Sequence, residues 1–247
     1  MQLGTTTVDV VSDGTYMLDG GTLFGQVPKI LWEQQLKPDR KNRVRMGMNC
    51  MLIQTSSKNI LVDTGAGSKR ADKLKDTYDL NGNKLLKQLK NLGLTARDID
   101  VVILTHLHFD TAGGCTKLDR SGTAIPTFPK AEYLVQGASW EEANNPNERG
   151  EHSFYSSDFL PLKEAGVLTL LDGDTELVPG VSVKVTHGHS DGHQVVLVEA
   201  GSERIAYMGD LIPTPYHLPL PNIAALDQSP NNTLSQKRYL LDMAIDG

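Results

Sequence analysis

Residues 101–114 read Val-Val-Ile-Leu-Thr-His-Leu-His-Phe-Asp-Thr-Ala-Gly-Gly. The apolar run 101–104 predicts a short buried strand, and His106, His108 and Asp110 follow it at every second position. Imidazole and carboxylate groups in such an array are typical ligands of a divalent metal of the zinc or iron type. The next position, where a fourth ligand is expected, holds Thr111.

Polar side chains also follow other predicted strands. His189 comes after the strand 181–186, and Asp210 comes after the strand 204–208. Because ligands in α/β folds gather outside strand ends, we expect both side chains to converge with those of 106–110. Asp63, at the end of the strand 59–63, is expected to orient a ligand histidine, and His193 is expected to hydrogen-bond to the site rather than bind the metal.

The composition is that of an ordinary globular protein. The chain has 247 residues, 39% hydrophobic and 22% charged, and we interpret residues 1–247 as one domain. The net charge of -6 and the lack of long Lys/Arg runs argue against nucleic-acid binding. Two cysteines do not make a disulfide framework, and we find neither a signal peptide nor a membrane-length apolar segment. We therefore expect a cytoplasmic protein with no membrane partner.

The hydrophobic pattern predicts strands and helices in alternation. In residues 6–18, Asp13-Gly14 predicts a turn between two short strands, and residues 117–130 are expected to form a loop. Leucines at helical spacing predict a helix over 83–92, closed by Gly93. Further predicted strands are 44–55, 59–63, 132–136, 167–171, 175–178, 181–186, 194–199 and 204–208, and further predicted helices are 30–36, 138–144 and 233–245. This order favours two packed mixed sheets with helices outside, an α/β class.

Taken together, these motifs resemble the metallo-β-lactamase superfamily. The corresponding stretches are His-Leu-His-Phe-Asp-Thr at 106–111, Thr-His-Gly-His at 186–189, Met-Gly-Asp at 208–210 and Leu-Val-Asp-Thr-Gly at 61–65. The resemblance covers roughly residues 43–247 and is strongest to the lactonase and organophosphate-hydrolase branch. It implies a four-layer αββα sandwich with mixed sheets.

The resemblance also implies roles for the site residues. His106, His108 and His189 would form a first metal site, Asp210 would bridge to a second, and Asp110 would belong to that second site. Asp110 would also orient the attacking water or take its proton. The implied activity is hydrolysis of a small-molecule ester, lactone or phosphoester through a metal-bound hydroxide. The implied cofactor is zinc, one ion or two.

The chain departs from the family pattern at the second metal site. Thr111 replaces a histidine, and a hydroxyl is a poor zinc ligand. His187 stands where the motif has proline, and the family's last histidine lies beyond the helix 233–245, where this chain stops at Gly247. We therefore expect a mononuclear site and a C-terminally short domain, with His193 or His217 as less favoured substitutes in a second site.

Two other functions stay open at this point. A mononuclear iron oxidoreductase is compatible with histidines and one carboxylate around open positions. A member that has lost catalysis is compatible with Thr111. The sequence does not name the substrate-binding residues, which we expect within 20–42 and 144–160, and it leaves a homodimer open.

Overall fold

The computed structural model describes residues 1–246, so Gly247, the last residue of the domain predicted over 1–247, lies outside the described residues. The strands are β1 (Gln2–Leu3), β2 (Thr6–Asp19), β3 (Arg43–Gln54), β4 (Asn59–Val62), β5 (Val101–Ile103), β6 (Thr116–Leu118), β7 (Ala124–Pro126), β8 (Glu132–Gln136), β9 (Leu168–Leu171), β10 (Thr175–Val178), β11 (Val181–Val185), β12 (Gln194–Ala200) and β13 (Glu203–Tyr207). The helices are α1 (Gly20–Phe24), α2 (Lys29–Trp32), α3 (Ala71–Tyr78), α4 (Leu85–Asn91), α5 (Phe109–Ala112), α6 (Gly137–Asn144), α7 (Ser156–Glu164) and α8 (Pro230–Asp246). Short 3₁₀ turns span Gly113–Cys115, Glu151–Ser153, Gly209–Leu211 and Pro215–His217.

The strands form two large sheets that pack face to face. The order is β1-β2-β3-β4-β5-β8-β9 in the seven-stranded sheet and β10-β11-β12-β13 in the four-stranded sheet. Val62 and Ile103 of the first sheet share one buried apolar cluster with Val183 and Val196 of the second. The expected packing of two mixed sheets is therefore confirmed.

Helices cover both outer faces. Leu89 of α4, Trp140 of α6 and Phe159 of α7 pack in one apolar cluster on the seven-stranded sheet. Leu240 of α8 packs with Val195 on the four-stranded sheet. Burying each such side chain contributes about 1.5–3 kcal/mol. The predicted αββα sandwich is thus confirmed. Within residues 1–246, no helix combines the length and apolar character that a bilayer crossing needs.

Two local predictions are wrong. Residues 6–19 form one long strand, not two, because Asp13-Gly14 makes a β-bulge opposite β3 instead of a turn. The bulge turns the Asp13 carboxylate inward, where it accepts hydrogen bonds from the backbone N–H groups of Gly67, Lys84 and Leu85. Residues 117–130 are not a plain loop, since β6 and β7 pair as a short antiparallel ribbon.

The mixed topology places the site. Strands β4, β5 and β8 are parallel, so their carboxyl ends lie at one edge of the seven-stranded sheet. Asp63 follows β4, and His106 and His108 follow β5. The connections after β11 and β13 of the other sheet reach the same edge and bring His189 and Asp210 to it.

Candidate metal centre

Four side chains from three connections meet at this edge. One nitrogen or oxygen atom from each of His106, His108, His189 and Asp210 lies within 4.8 Å of the others. His189 Nε2 is 3.1 Å from His108 Nδ1 and 3.3 Å from Asp210 Oδ2. His106 Nε2 is 3.8 Å from the same Asp210 oxygen. The structure thus brings together four of the five predicted metal ligands.

The donor set fits a divalent cation. His106 is fully buried, and its Nε2 has no hydrogen-bond partner within the described chain. An unsatisfied buried nitrogen costs about 1–3 kcal/mol, so it is rare in a native interior unless something binds to it. The atom points at the carboxylate of Asp210 and at two further imidazoles. Three imidazoles and one carboxylate oxygen are a common zinc ligand set.

The charge states also suit metal binding. Burial, together with the neighbouring histidines, lowers the pKa of His106 and His108 well below the usual value, so both rings are neutral. Burial opposes the charged form of His189 too, but the Asp210 and Asp227 carboxylates outweigh it and raise its pKa to about 9. Burial raises the pKa of Asp210 to about 6. The two carboxylates therefore favour a positive charge between them, which is a proton on His189 without a metal and would be the cation once one is bound.

Hydrogen bonds from side chains outside the cluster hold its members in place. Thr105 Oγ1 lies 3.0 Å from His106 Nδ1 and donates to Asp63 Oδ2 at 2.9 Å. His193 Nδ1 lies 2.7 Å from Thr186 Oγ1, and its Nε2 accepts the backbone N–H of Asp210 at 3.2 Å. Asp63 therefore acts on His106 through a threonine, and His193 supports the backbone of Asp210.

Sequence reasoning missed Asp227. Its Oδ1 accepts a hydrogen bond from His189 Nδ1 at 2.9 Å, and its Oδ2 accepts one from Thr233 Oγ1 at 2.7 Å. Such a carboxylate fixes the tautomer and orientation of a ligand histidine. Asp227 lies 38 residues from His189, in a connection without periodicity. The only sequence signal is a polar stretch that precedes α8 at Pro230.

Asp110 lies beside the four-residue cluster, in a cleft of about 420 Å³ that Asp63, Thr111 and Asp210 also line. It is not among the four clustered ligand atoms. Tyr16 donates a 2.7 Å hydrogen bond to its Oδ2, a second contact that the sequence did not indicate. This arrangement leaves Asp110 as a carboxylate held in the cleft next to the metal-binding atoms.

The two suggested substitutes for the second site, His193 and His217, both have other partners. His193 hydrogen-bonds through both ring nitrogens, to Thr186 and to the backbone N–H of Asp210. His217 Nε2 donates to the Leu23 carbonyl oxygen at 2.9 Å, and its ring stacks on Phe24. Thr111, which stands in the place of the missing ligand, is buried, and its backbone oxygen accepts from the backbone N–H of Thr64.

Residues 45–244 match the model of the metallo-beta-lactamase superfamily. An N-acyl homoserine lactonase of Bacillus cereus is 31% identical over 169 residues, which are 64% of this chain and 60% of that protein. The chain thus spans about three fifths of the length of this curated relative. The relatives named here are hydrolases, and none supports the iron oxidoreductase alternative.

Solved structures show the same fold. A probable metal-dependent hydrolase from Staphylococcus aureus has a TM-score of 0.89 and 32% identity, over 96% of this chain and 84% of that one. A dizinc quorum-quenching lactonase in complex with its homoserine product has a TM-score of 0.78 and 21% identity, over 98% of this chain and 85% of that one. The second likeness supports the fold alone.

Proposed function

Because the chain belongs to the metallo-beta-lactamase superfamily, we propose that it is a metal-dependent hydrolase of a lactone or a related small ester. The observation that carries this proposal is the cluster of three imidazoles and one carboxylate beside an acidic cleft. The relatives with N-acyl homoserine lactonase activity favour a lactone over a phosphoester.

We propose that His106, His108, His189 and Asp210 hold one zinc ion. One donor atom of each already lies within 4.8 Å of the others, and a bound cation would replace the proton that the carboxylates favour on His189. When bound, zinc supplies Lewis-acid polarisation of a carbonyl oxygen and lowers the pKa of a coordinated water. A single ion is preferred because Thr111 offers a hydroxyl where a second ion needs an imidazole.

Asp110 is the proposed proton carrier. Its carboxylate lines the cleft, and Tyr16 holds one oxygen, Oδ2, by a 2.7 Å hydrogen bond. The other oxygen stays available to accept a proton from the attacking water and to return it to the alkoxide that leaves the opened ring. Tyr16 acts through Asp110 by fixing the carboxylate in the cleft.

The test combines metal content with turnover. We expect about one zinc per chain by elemental mass spectrometry, and hydrolysis of N-hexanoyl-homoserine lactone by the zinc-loaded protein. His106→Ala and His189→Ala should lose both, whereas His152→Ala, which changes an exposed histidine outside the cluster, should keep the metal. A chain that binds zinc in the cluster but opens no lactone or ester would contradict the proposed activity and favour the non-catalytic alternative.

The stoichiometry has its own test. Thr111→His places an imidazole in the acidic cleft, next to Asp110 and Asp210. If loss of this ligand is what limits the second site, metal content should rise toward two per chain. An unchanged content of one would mean that Thr111 is not what limits the site to a single ion.

A further inference from the structure

Two clefts of opposite charge flank the metal-binding side chains. The acidic cleft is lined by Asp63, Asp110 and Asp210, and no lysine, arginine or histidine is among its described lining residues. A second cleft of about 230 Å³ is lined by His108, Asn147, Arg149 and His152, together with small and polar groups. We call it the basic cleft, because no Asp or Glu of residues 1–246 lines it. Glu148 and Glu151 are neighbours in sequence but do not line it.

Arg149 is held in place at the basic cleft. Its Nη2 donates to the backbone carbonyl oxygens of Ala225 and Asp227. Its Nε and Nη1 make no hydrogen bond within the described chain. Asn147 Oδ1 accepts the backbone N–H groups of Arg149 and Gly150, each at 3.0 Å, which fixes the turn that carries the arginine. A guanidinium with free donors and little freedom is suited to bind a carboxylate or phosphate through paired hydrogen bonds.

His108 connects the basic cleft to the metal centre. Its Nδ1 faces His189, and its Nε2 makes no hydrogen bond within residues 1–246. In the other two histidines the nitrogen that faces away from the cluster has a partner. Thr105 contacts Nδ1 of His106, and Asp227 accepts from Nδ1 of His189. Metal-binding histidines usually have an oxygen acceptor at this position. An anionic oxygen bound in the basic cleft would give His108 Nε2 the acceptor that it lacks, and Arg149 would neutralise the charge of that oxygen.

We propose that the basic cleft binds an anionic group of the substrate, so that the preferred substrates are esters or lactones that carry a carboxylate or a phosphate. This inference rests on the proposed hydrolase function. It adds the substrate class and assigns Arg149 as the residue that determines it. The bound anionic group can have two sources: a carboxylate or phosphate substituent of the intact substrate, or the carboxylate that hydrolysis releases.

The experiment compares two esters of equal shape. Monomethyl succinate carries a carboxylate where methyl 4-methylpentanoate carries an isopropyl group. We expect kcat/KM of the wild-type zinc-loaded chain to be at least tenfold higher for the anionic ester. Arg149→Gln should lower this ratio about tenfold and leave the neutral ester nearly unchanged, which also shows that the 225–227 segment still folds. Arg204→Gln is the matched control, since Arg204 is an exposed arginine of β13 that pairs with Glu199.

A binding measurement accompanies the kinetics. Isothermal titration of succinate into the zinc-loaded chain should give a dissociation constant about tenfold weaker for Arg149→Gln than for wild type, or about 1.4 kcal/mol. Equal affinities would mean that zinc alone holds the carboxylate, and would overturn the proposal. Weaker binding with an unchanged ester ratio would overturn the substrate assignment and leave a site for the released product.

The two proposals fail in different ways. If neither these esters nor N-hexanoyl-homoserine lactone is hydrolysed but succinate binding depends on Arg149, the hydrolase function is wrong and the anion site stands. If both esters are hydrolysed with the same ratio in wild type and Arg149→Gln, and succinate binds both chains equally, the hydrolase function stands and the anion site is wrong.

Discussion

At the scale of single residues, the site depends on acceptors that orient the imidazoles. Asp227 is 1% exposed and links His189 to Thr233 at the start of α8. We expect Asp227→Asn to weaken zinc binding about 10–100-fold, because an amide fixes the histidine less firmly and removes a charge. Asp242→Asn, on the exposed face of α8, should leave zinc affinity unchanged. A competition titration with a chromophoric chelator measures both. Equal affinities in folded Asp227→Asn and wild type would show that the carboxylate does not support the metal site.

The sequence pointed to the four side chains that the structure brings together, and to Asp63 and His193 as their supports, but it missed Asp227. His106, His108, His189 and Asp210 each follow a short apolar strand, and this position relative to a strand is visible in the sequence. Asp227 reaches His189 from a connection whose path depends on packing of α8. Its aspartate resembles any polar loop residue, so the pattern carries no information about the contact.

At the scale of elements, a buried ion cluster joins the two residues that precede α3 to the first turn of α7. Asp158 is fully buried, forms an ion pair with Arg70 and lies 3.0 Å from Lys69 Nζ. Lys69 also donates to the carbonyl oxygens of Gly113 and Thr116, directly after the metal-binding motif.

Removal of this acid should be costly. We expect Asp158→Ala to lower the free energy of unfolding by about 3–5 kcal/mol, because two buried cations lose their partner. Glu199→Ala removes an exposed pair with Arg204 and should change stability little. Urea denaturation compares the two variants with wild type. A loss in Asp158→Ala no larger than that in Glu199→Ala would contradict a structural role for the cluster.

The hydrogen bonds of Glu142 link α6 to the connection after β11, and their contribution to stability depends on pH. Glu142 of α6 accepts the backbone N–H of Asp191 at 2.8 Å and a hydrogen bond from Gln228, and so holds the connection that carries His189. Burial raises its pKa from 4.5 to about 7. The folded state therefore keeps a proton that the unfolded state has lost, and stability falls as the pH rises from about 4.5 to 7.

Glu142→Gln should remove this slope. Relative to wild type, the variant should gain stability between pH 5 and pH 8, measured as urea midpoints at both values. Glu141→Gln changes the exposed neighbour on the same helix and should follow the wild-type slope. If the urea midpoint of Glu142→Gln changed between pH 5 and pH 8 by as much as that of wild type, the Glu142 carboxyl would titrate alike in the folded and unfolded states.

Hydrophobic spacing in the sequence predicted some elements well and failed at one turn-like dipeptide. Helix α4 and strands β8 to β13 follow hydrophobic spacing and were predicted to within a few residues. Asp13-Gly14 has the composition of a turn, yet it forms a bulge because Gly14 packs against the Asn81 backbone, where a side chain would clash. A dipeptide cannot reveal a partner that lies nearly 70 residues further along the chain.

At the scale of the whole molecule, the metal centre lies where the two sheets meet. His106 and His108 follow the seven-stranded sheet, whereas His189 and Asp210 follow strands of the four-stranded sheet. The sheets also share an apolar interface, so both kinds of contact hold the same two layers together. A bound cation is therefore expected to stabilise the whole fold and not only the local loops.

Zinc should raise the melting temperature of the chain. At free zinc about 100 times the dissociation constant, binding adds about 2.7 kcal/mol to the folded state. For a chain of 247 residues this corresponds to a rise of about 5–10 °C, which a chelator should reverse. His106→Ala should lose the rise, because it removes a nitrogen of the cluster, whereas His152→Ala should keep it. Differential scanning calorimetry with and without zinc measures all three chains. A rise of equal size in His106→Ala would show that zinc stabilises the fold from another place.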